Sequence, residues 1–157
     1  MKKRLFLVAA LIALPAVALA QHKHDHNHSH DFAAGEPGDA KKPAKIVQVE
    51  MFEKDGKMLF VPARLEVKKG DQVKFMLRNT GELEHEFVLG TTAENLAHAE
   101  EMKKMPEMAH DEPNGKRLAP KQSGQIVWRF TKAGEFEYAC LIAGHREAGM
   151  IGVVVVK

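Results

Sequence analysis

Three side chains near the end of the sequence have the types and spacing of a metal site. Cys140, the single cysteine of the chain, is followed five residues later by His145 and after five more by Met150. Thiolate, imidazole and thioether groups suit copper, and a trigonal copper site needs one further histidine. His85 begins an alternating strand and shares its apolar face, so it points to the interior. We therefore expect these four residues to form one copper site.

The strand that ends near Cys140 gives the thiol its direction. Strict alternation over residues 135–141 turns Phe136, Tyr138 and Cys140 inward and turns Glu135, Glu137 and Ala139 outward. One thiolate and two neutral imidazoles would leave a net charge of about +1 with Cu(II) and about zero with Cu(I), which an apolar pocket tolerates. Zinc usually takes a firmer fourth ligand than a thioether.

Other interpretations of the same residues are available. A buried cysteine is often an inert small hydrophobe, and a methionine near a terminal strand is often a core residue. Cys140 and His145 can also pair as the nucleophile and base of a hydrolase. That interpretation lacks an obvious orienting Asp or Asn, and a thiol between aromatic residues would be hard for a substrate to reach. We therefore expect a protein that is not an enzyme.

The elements that must position these residues are predicted to be strands. Short alternating or apolar runs separated by turn signals recur from Ile46 to Val156, which gives seven or eight strands. One helix is predicted over residues 91–104 and a polar loop over residues 105–120. Trp128 is predicted to be a core residue. The expected fold of residues 46–157 is an all-β Greek-key sandwich or barrel with one short helix in a long connection.

Residues 1–20 have the pattern of a cleavable signal peptide. Lys2, Lys3 and Arg4 precede an apolar stretch, and Ala18-Leu19-Ala20 supplies the small-residue cleavage pattern. Removing them leaves 137 residues and changes the formal charge from +2 to −1, so nothing favours nucleic acid as a partner. We expect an exported, periplasmic monomer with no membrane anchor after cleavage.

Residues 21–45 are predicted to be a disordered tail, because they offer almost nothing to bury. Histidines at every second position suggest loose binding of further copper, or of other divalent ions, with a soluble spacer as the alternative. These histidines are His22, His24, His26, His28 and His30.

A second cluster follows in and after the predicted helix. His98 and Met102 are four residues apart and can share a helix face with Met105, and Met108 and His110 come shortly afterwards. Thioethers favour Cu(I), so an auxiliary Cu(I) site is one interpretation. The alternative is that the helix packs its methionines against the sandwich.

The pattern Gly134-x-Phe136-x-Tyr138-x-Cys140-x4-His145-x4-Met150, with His85 upstream, resembles that of the cupredoxins, the type 1 blue or green copper proteins. The resemblance covers residues 46–157. It implies one type 1 copper ion cycling between Cu(II) and Cu(I), with His85, Cys140 and His145 as equatorial ligands and Met150 as the axial ligand. Glu86 and Ala143 stand where many members have Asn and Pro.

The histidine-rich segment and the methionine-containing helix are most similar to those of periplasmic copper-tolerance cupredoxins. That resemblance implies a role in copper tolerance, by sequestration, by redox cycling or by both. A redox or copper-transfer protein is then a possible partner. The alternative function is a small electron-transfer carrier that uses the same copper site.

Overall fold

The computed structural model describes residues 32–104 and 112–157. Within these ranges the chain forms ten strands and one helix. The strands are β1 (Glu36–Pro37), β2 (Lys45–Lys54), β3 (Lys57–Val61), β4 (Arg64–Val67), β5 (Gln72–Asn79), β6 (His85–Gly90), β7 (Gly115–Leu118), β8 (Ser123–Arg129), β9 (Gly134–Ala139) and β10 (Ile151–Val156), and the helix is α1 (Thr92–Lys104).

The strands form two five-stranded sheets. One has the order β1-β8-β5-β2-β3 and the other β4-β10-β9-β6-β7. The β2–β5 and β4–β10 pairs are parallel and the remaining pairs are antiparallel. Because the chain changes sheets repeatedly between successive strands, the connections cross the ends of the sandwich. The predicted all-β sandwich with one helix is confirmed.

Aromatic side chains fill the space between the sheets. Tyr138 stacks on Phe87 with ring centroids 5.1 Å apart and meets Phe60 edge-on at 5.2 Å. Trp128 is fully buried, as predicted for a core residue. Gly152 lies opposite Tyr138 in the β9–β10 pair, and a Cβ there would stand 2.1 Å from the tyrosine ring. Glycine is required at this position because the ring occupies the space.

Helix α1 covers the outer face of the second sheet. Thr91 caps it by a reciprocal arrangement, in which Thr91 Oγ1 accepts the Glu94 N–H at 3.1 Å and Glu94 Oε2 accepts the Thr91 N–H at 2.7 Å. A small apolar cluster lies beneath the helix and consists of Val88, Ala99, Ala139 and Leu141. In residues 32–104 and 112–157, no helix is long and apolar enough to cross a bilayer.

Two expectations about local structure are wrong for part of their range, and residues 21–31 and 105–111 lie outside the described residues. The tail predicted to be disordered over residues 21–45 includes residues 32–45, which are ordered against the sandwich. Phe32 meets Trp128 edge-on at 5.2 Å, Trp128 Nε1 donates to the Ala34 carbonyl at 3.3 Å, and β1 pairs with β8. Contacts of Phe32 and Ala34 with Trp128, together with the short β1–β8 pairing, thus order a segment of largely polar composition.

The second expectation concerns the loop predicted over residues 105–120. Its later part contains β7, which pairs with β6 in the register His85↔Leu118. Edge pairing with a buried strand, rather than its own alternation, makes this polar segment a strand. β7 lies beside the strand that begins at His85.

Candidate metal centre

His85 is the first residue of β6 and is fully buried. The preceding turn is held by Asn79, whose Nδ2 donates to the carbonyls of Leu83 at 2.7 Å and Leu118 at 3.0 Å. Asn79 Oδ1 accepts the Gly81 N–H at 3.0 Å. One buried amide therefore joins the turn before His85 to β7 and fixes where β6 begins.

Cys140 and Met150 close the loop between β9 and β10. The Cys140 N–H donates to the Met150 carbonyl at 3.2 Å, and the Met150 N–H donates to the His145 carbonyl at 3.1 Å. Inside the loop, His145 N–H donates to Ile142 at 3.0 Å and Ala148 N–H donates to Gly144 at 3.0 Å. These backbone bonds shape the loop although Ala143 is not proline.

The structure brings three of the four predicted residues together. His85 Nδ1 and His145 Nδ1 are 3.3 Å apart, and Cys140 Sγ is 3.3 Å from His145 Nδ1. The three donor atoms all lie within 4.8 Å of one another. Donor atoms this close together can be shared by one ion, and two imidazoles with one thiolate are a set that suits copper. The donor types and their spacing therefore fit copper.

Met150 is joined to this group through its main chain. Its side chain is fully buried and belongs to the same core cluster as Cys140. Its backbone bonds to both Cys140 and His145, as described above. The fold thus places a thioether residue at the base of the loop that carries the thiol and one imidazole.

Burial sets the protonation of the three donors. Burial lowers the pKa of His85, against a partial opposing effect of Glu53, and burial together with the field of His85 lowers the pKa of His145. Burial raises the pKa of the Cys140 thiol to about 12. Near neutral pH, the imidazoles are thus ready to bind a cation, whereas the thiol must lose a proton to do so.

The Cys140 sulfur also accepts a hydrogen bond. The backbone N–H of Glu86 points at Sγ from 3.3 Å, and this contact links β6 to the end of β9. The link uses the main chain of residue 86, so it does not depend on which side chain follows His85. Such a donor stabilises negative charge on sulfur.

Sequence reasoning missed Glu53, at the end of β2. Its Oε1 lies 2.8 Å from His85 Nε2, on the side of the imidazole opposite Nδ1. Burial acts to raise the pKa of Glu53, but the N–H groups of Glu82 and Leu83 and the field of His85 hold it below its usual value. The two residues are 32 positions apart in the chain, and no local pattern pairs them.

The auxiliary residues are less closely grouped. His98 lines a cavity of about 310 Å³ between α1 and β6, and Met102 is buried one turn further along the helix. In the described part of the chain, His85, Cys140 and His145 are the one group of three or more His, Cys, Asp or Glu residues close enough to share an ion. The remaining candidates lie outside the described residues and are His22, His24, His26, His28, His30, Met105, Met108 and His110.

Comparison with known proteins decides the family. The sequence profile described as copper binding proteins, plastocyanin/azurin family, matches residues 47–157. The chain belongs to this family. The match spans both sheets from β2 to β10 and includes all four predicted ligand positions. Membership of the plastocyanin/azurin family and the donor set described above agree on copper as the ion that this protein binds.

Two curated relatives carry the same name. The copper-resistant cuproprotein CopI of Rubrivivax gelatinosus is 50% identical over 163 aligned residues, covering 100% of this chain and 97% of that protein. CopI of Pseudomonas aeruginosa is 34% identical over 154 residues, covering 80% of this chain and 83% of that protein. This plastocyanin/azurin family member is thus a cupredoxin related to proteins named for copper resistance.

A solved structure shows the same fold. Auracyanin B superposes with a TM-score of 0.64 at 22% identity, covering 79% of this chain and 96% of that chain. At this identity the likeness shows the fold alone.

Proposed function

We propose that this protein is a periplasmic cupredoxin with one mononuclear type 1 copper site that acts in copper tolerance. The observation that carries the proposal is the buried group of two imidazole Nδ1 atoms and one thiol sulfur, all within 4.8 Å. His85, Cys140 and His145 would hold the ion, and the Met150 thioether would be a weak further ligand. When bound, copper supplies a one-electron Cu(II)/Cu(I) couple.

The surroundings of the site support binding and electron transfer rather than turnover of a substrate. His85 and Cys140 are fully buried, and His145 is 9% exposed, so His145 is the most exposed of the three. Electrons can pass through this residue, whereas a substrate has no room beside the sulfur. We therefore propose a protein that is not an enzyme.

Copper tolerance as the role is supported by the relatives and by the N-terminal sequence. Both curated relatives described above are named as copper-resistant cuproproteins. The histidines between residues 22 and 30 offer imidazoles that can hold additional ions loosely. Sequestration by this segment, redox cycling at the buried site, or both together would protect the cell envelope after export through the predicted signal peptide.

A small electron-transfer carrier is the second candidate function. The observation that favours it is that His145 is 9% exposed while His85 and Cys140 are fully buried, since a carrier needs one ligand close to the surface for a redox partner. A carrier has no use for the histidine-rich segment. The two functions therefore differ in what depends on residues 22–30.

A growth experiment separates the two functions. The chromosomal gene is replaced by the wild-type sequence, by a deletion of residues 22–30 or by Cys140→Ser, and growth is measured against copper concentration with periplasmic protein levels matched. Copper tolerance predicts that the deletion lowers the tolerated concentration and that Cys140→Ser lowers it as well. Unchanged tolerance in both strains contradicts the proposed role. Loss in Cys140→Ser alone favours a role carried by the buried site without the segment.

A further inference from the structure

Glu53 makes a contact that joins the two sheets at the pole where the donors meet. It lies on β2 in the first sheet, whereas His85 begins β6 in the second. The Oε1–Nε2 distance is 2.8 Å, and the exposed side-chain fractions are 23% for Glu53 and 0% for His85. The carboxylate therefore meets the imidazole at a buried atom, on the edge that faces away from Cys140 and His145.

The carboxylate is itself held in place from the other side. The N–H of Leu83 donates to Oε1 at 2.8 Å, and the N–H of Glu82 donates to Oε2 at 3.0 Å. A Cβ on Gly81 would stand 2.4 Å from Oε2, so this turn approaches closely because residue 81 has no side chain. Two backbone donors and one imidazole thus converge on a single carboxylate.

This geometry determines which imidazole nitrogen carries the proton. A carboxylate that already accepts two N–H bonds offers Nε2 an acceptor, so Nε2 must be the donor. A neutral imidazole has one N–H, which leaves the Nδ1 lone pair free. Nδ1 is the atom that lies 3.3 Å from His145 Nδ1. The contact with Glu53 therefore presents the correct donor atom to the site.

We propose that Glu53 is a positioning residue of the copper site, which fixes His85 as the Nε2-H tautomer and makes its imidazole a stronger donor to Cu(II). This inference rests on the proposed copper site and adds a residue that acts on it through His85. The negative charge of Glu53 stabilises the ion of higher charge more strongly, so it favours Cu(II) over Cu(I). Carboxylates placed behind metal-binding histidines fix the imidazole tautomer and raise its basicity in other proteins.

Three variants test the inference. Glu53→Gln removes the charge and leaves one acceptor oxygen in place of two, and an amide nitrogen in the place of Oε1 would donate to Nε2 and favour the opposite tautomer. Glu53→Ala removes the contact altogether. Glu84→Gln is the matched control, because Glu84 precedes His85 directly but pairs with Arg117 at 2.6 Å.

The first measurement uses the metal-free protein. Nitrogen-15 NMR of labelled histidines should show His85 protonated at Nε2 in the wild type and in Glu84→Gln. In both Glu53 variants the fraction protonated at Nδ1 should rise. The amide shifts of Glu82 and Leu83 report separately whether the turn has loosened. A turn that loosens while the tautomer stays unchanged would show that Glu53 is merely an anchor and would overturn the inference.

The second measurement is competition titration with Cu(II) and with Cu(I). Glu53→Gln should raise the dissociation constant for Cu(II) about tenfold or more and that for Cu(I) less, with Glu84→Gln within about twofold of wild type. An unchanged ratio of the two constants in Glu53→Gln overturns the inference. A wild type that forms no thiolate-to-copper band rejects the type 1 site instead, and the tautomer in the metal-free protein still decides the positioning role.

Discussion

Arg146 donates two hydrogen bonds to the Glu137 carboxylate, from Nε to Oε1 at 3.2 Å and from Nη2 to Oε2 at 2.9 Å. Arg146 directly follows His145, and Glu137 lies on β9 three residues before Cys140. The same carboxylate accepts from Asn95 Nδ2 at 3.1 Å and from Thr92 Oγ1 at 3.2 Å, both on α1. One buried group therefore joins the loop that carries His145, the strand that leads to Cys140, and the covering helix.

Replacing Glu137 by Gln should destabilise the metal-free protein. Glu137 is 6% exposed, so the change leaves the Arg146 charge poorly compensated in a partly buried position. We expect the free energy of unfolding to fall by about 2 kcal/mol, less than for a fully buried pair, as measured by urea denaturation. Glu135→Gln is the control, because its pair with Arg64 at 3.7 Å is exposed and contributes little. Equal effects of the two changes would contradict this account.

Adding a single methyl group at Gly152 should have a large effect. Its Cβ would overlap the ring of Tyr138, which is packed between Phe60 and Phe87 and cannot move aside. Gly152→Ala should lower the free energy of unfolding by about 1–3 kcal/mol in thermal or urea denaturation. Gly115→Ala is the control in another strand, since its Cβ would meet Val88 at an ordinary 3.6 Å. A Gly152→Ala protein as stable as the control would argue against the packing described.

The sequence predicted most of what periodicity encodes. Alternation placed His85 and Cys140 on inward faces, and both are fully buried. It also predicted that Glu137 points away from the sandwich interior, which is correct. It did not predict that α1 buries this residue on the outer face. A period of two distinguishes the faces of a strand and does not say what covers the second face.

Contacts between residues far apart in the chain could not be predicted from the sequence. Glu53 and His85 meet because β2 ends at the pole where β6 begins, and nothing near either residue in the sequence signals the pair. The sequence also did not predict that Phe32 and Ala34 are ordered, because this depends on their contacts with the distant Trp128. β7 is too short and too polar to show alternation, so its pairing with β6 is known from the fold alone.

The metal-free protein should lose stability as the pH falls through the histidine range. Because burial lowers the pKa of both His85 and His145, the unfolded chain gains protons near pH 6.5 that the folded chain resists until lower pH. The unfolded state then binds more protons, so the free energy of unfolding decreases from about pH 7 downwards. Urea denaturation between pH 7.5 and 5.5 checks this. His145→Asn should flatten the slope, and a pH-independent wild type would contradict the assignment.

Copper binding should release a proton. The pKa of Cys140 is raised to about 12, so its thiol is protonated at pH 7 and must lose that proton to bind the ion. The two imidazoles are already neutral at this pH, because burial lowers the pKa of each. Calorimetric titration in buffers of different ionisation enthalpy should give about one proton per Cu(II). Using a protein without residues 22–30 removes protons released by those histidines. Proton release equal to that of Cys140→Ser would show that the thiol does not bind.

The visible absorption and electron paramagnetic resonance spectra of the protein with one equivalent of Cu(II) show whether Cys140 binds the ion. The wild type should show an intense thiolate-to-copper band and the copper hyperfine splitting of a cysteine-bound ion. Cys140→Ser should lose both features while keeping the fold, as judged by its circular dichroism. A colourless wild-type complex, or a band that survives in Cys140→Ser, would contradict a copper site built on Cys140, His85 and His145.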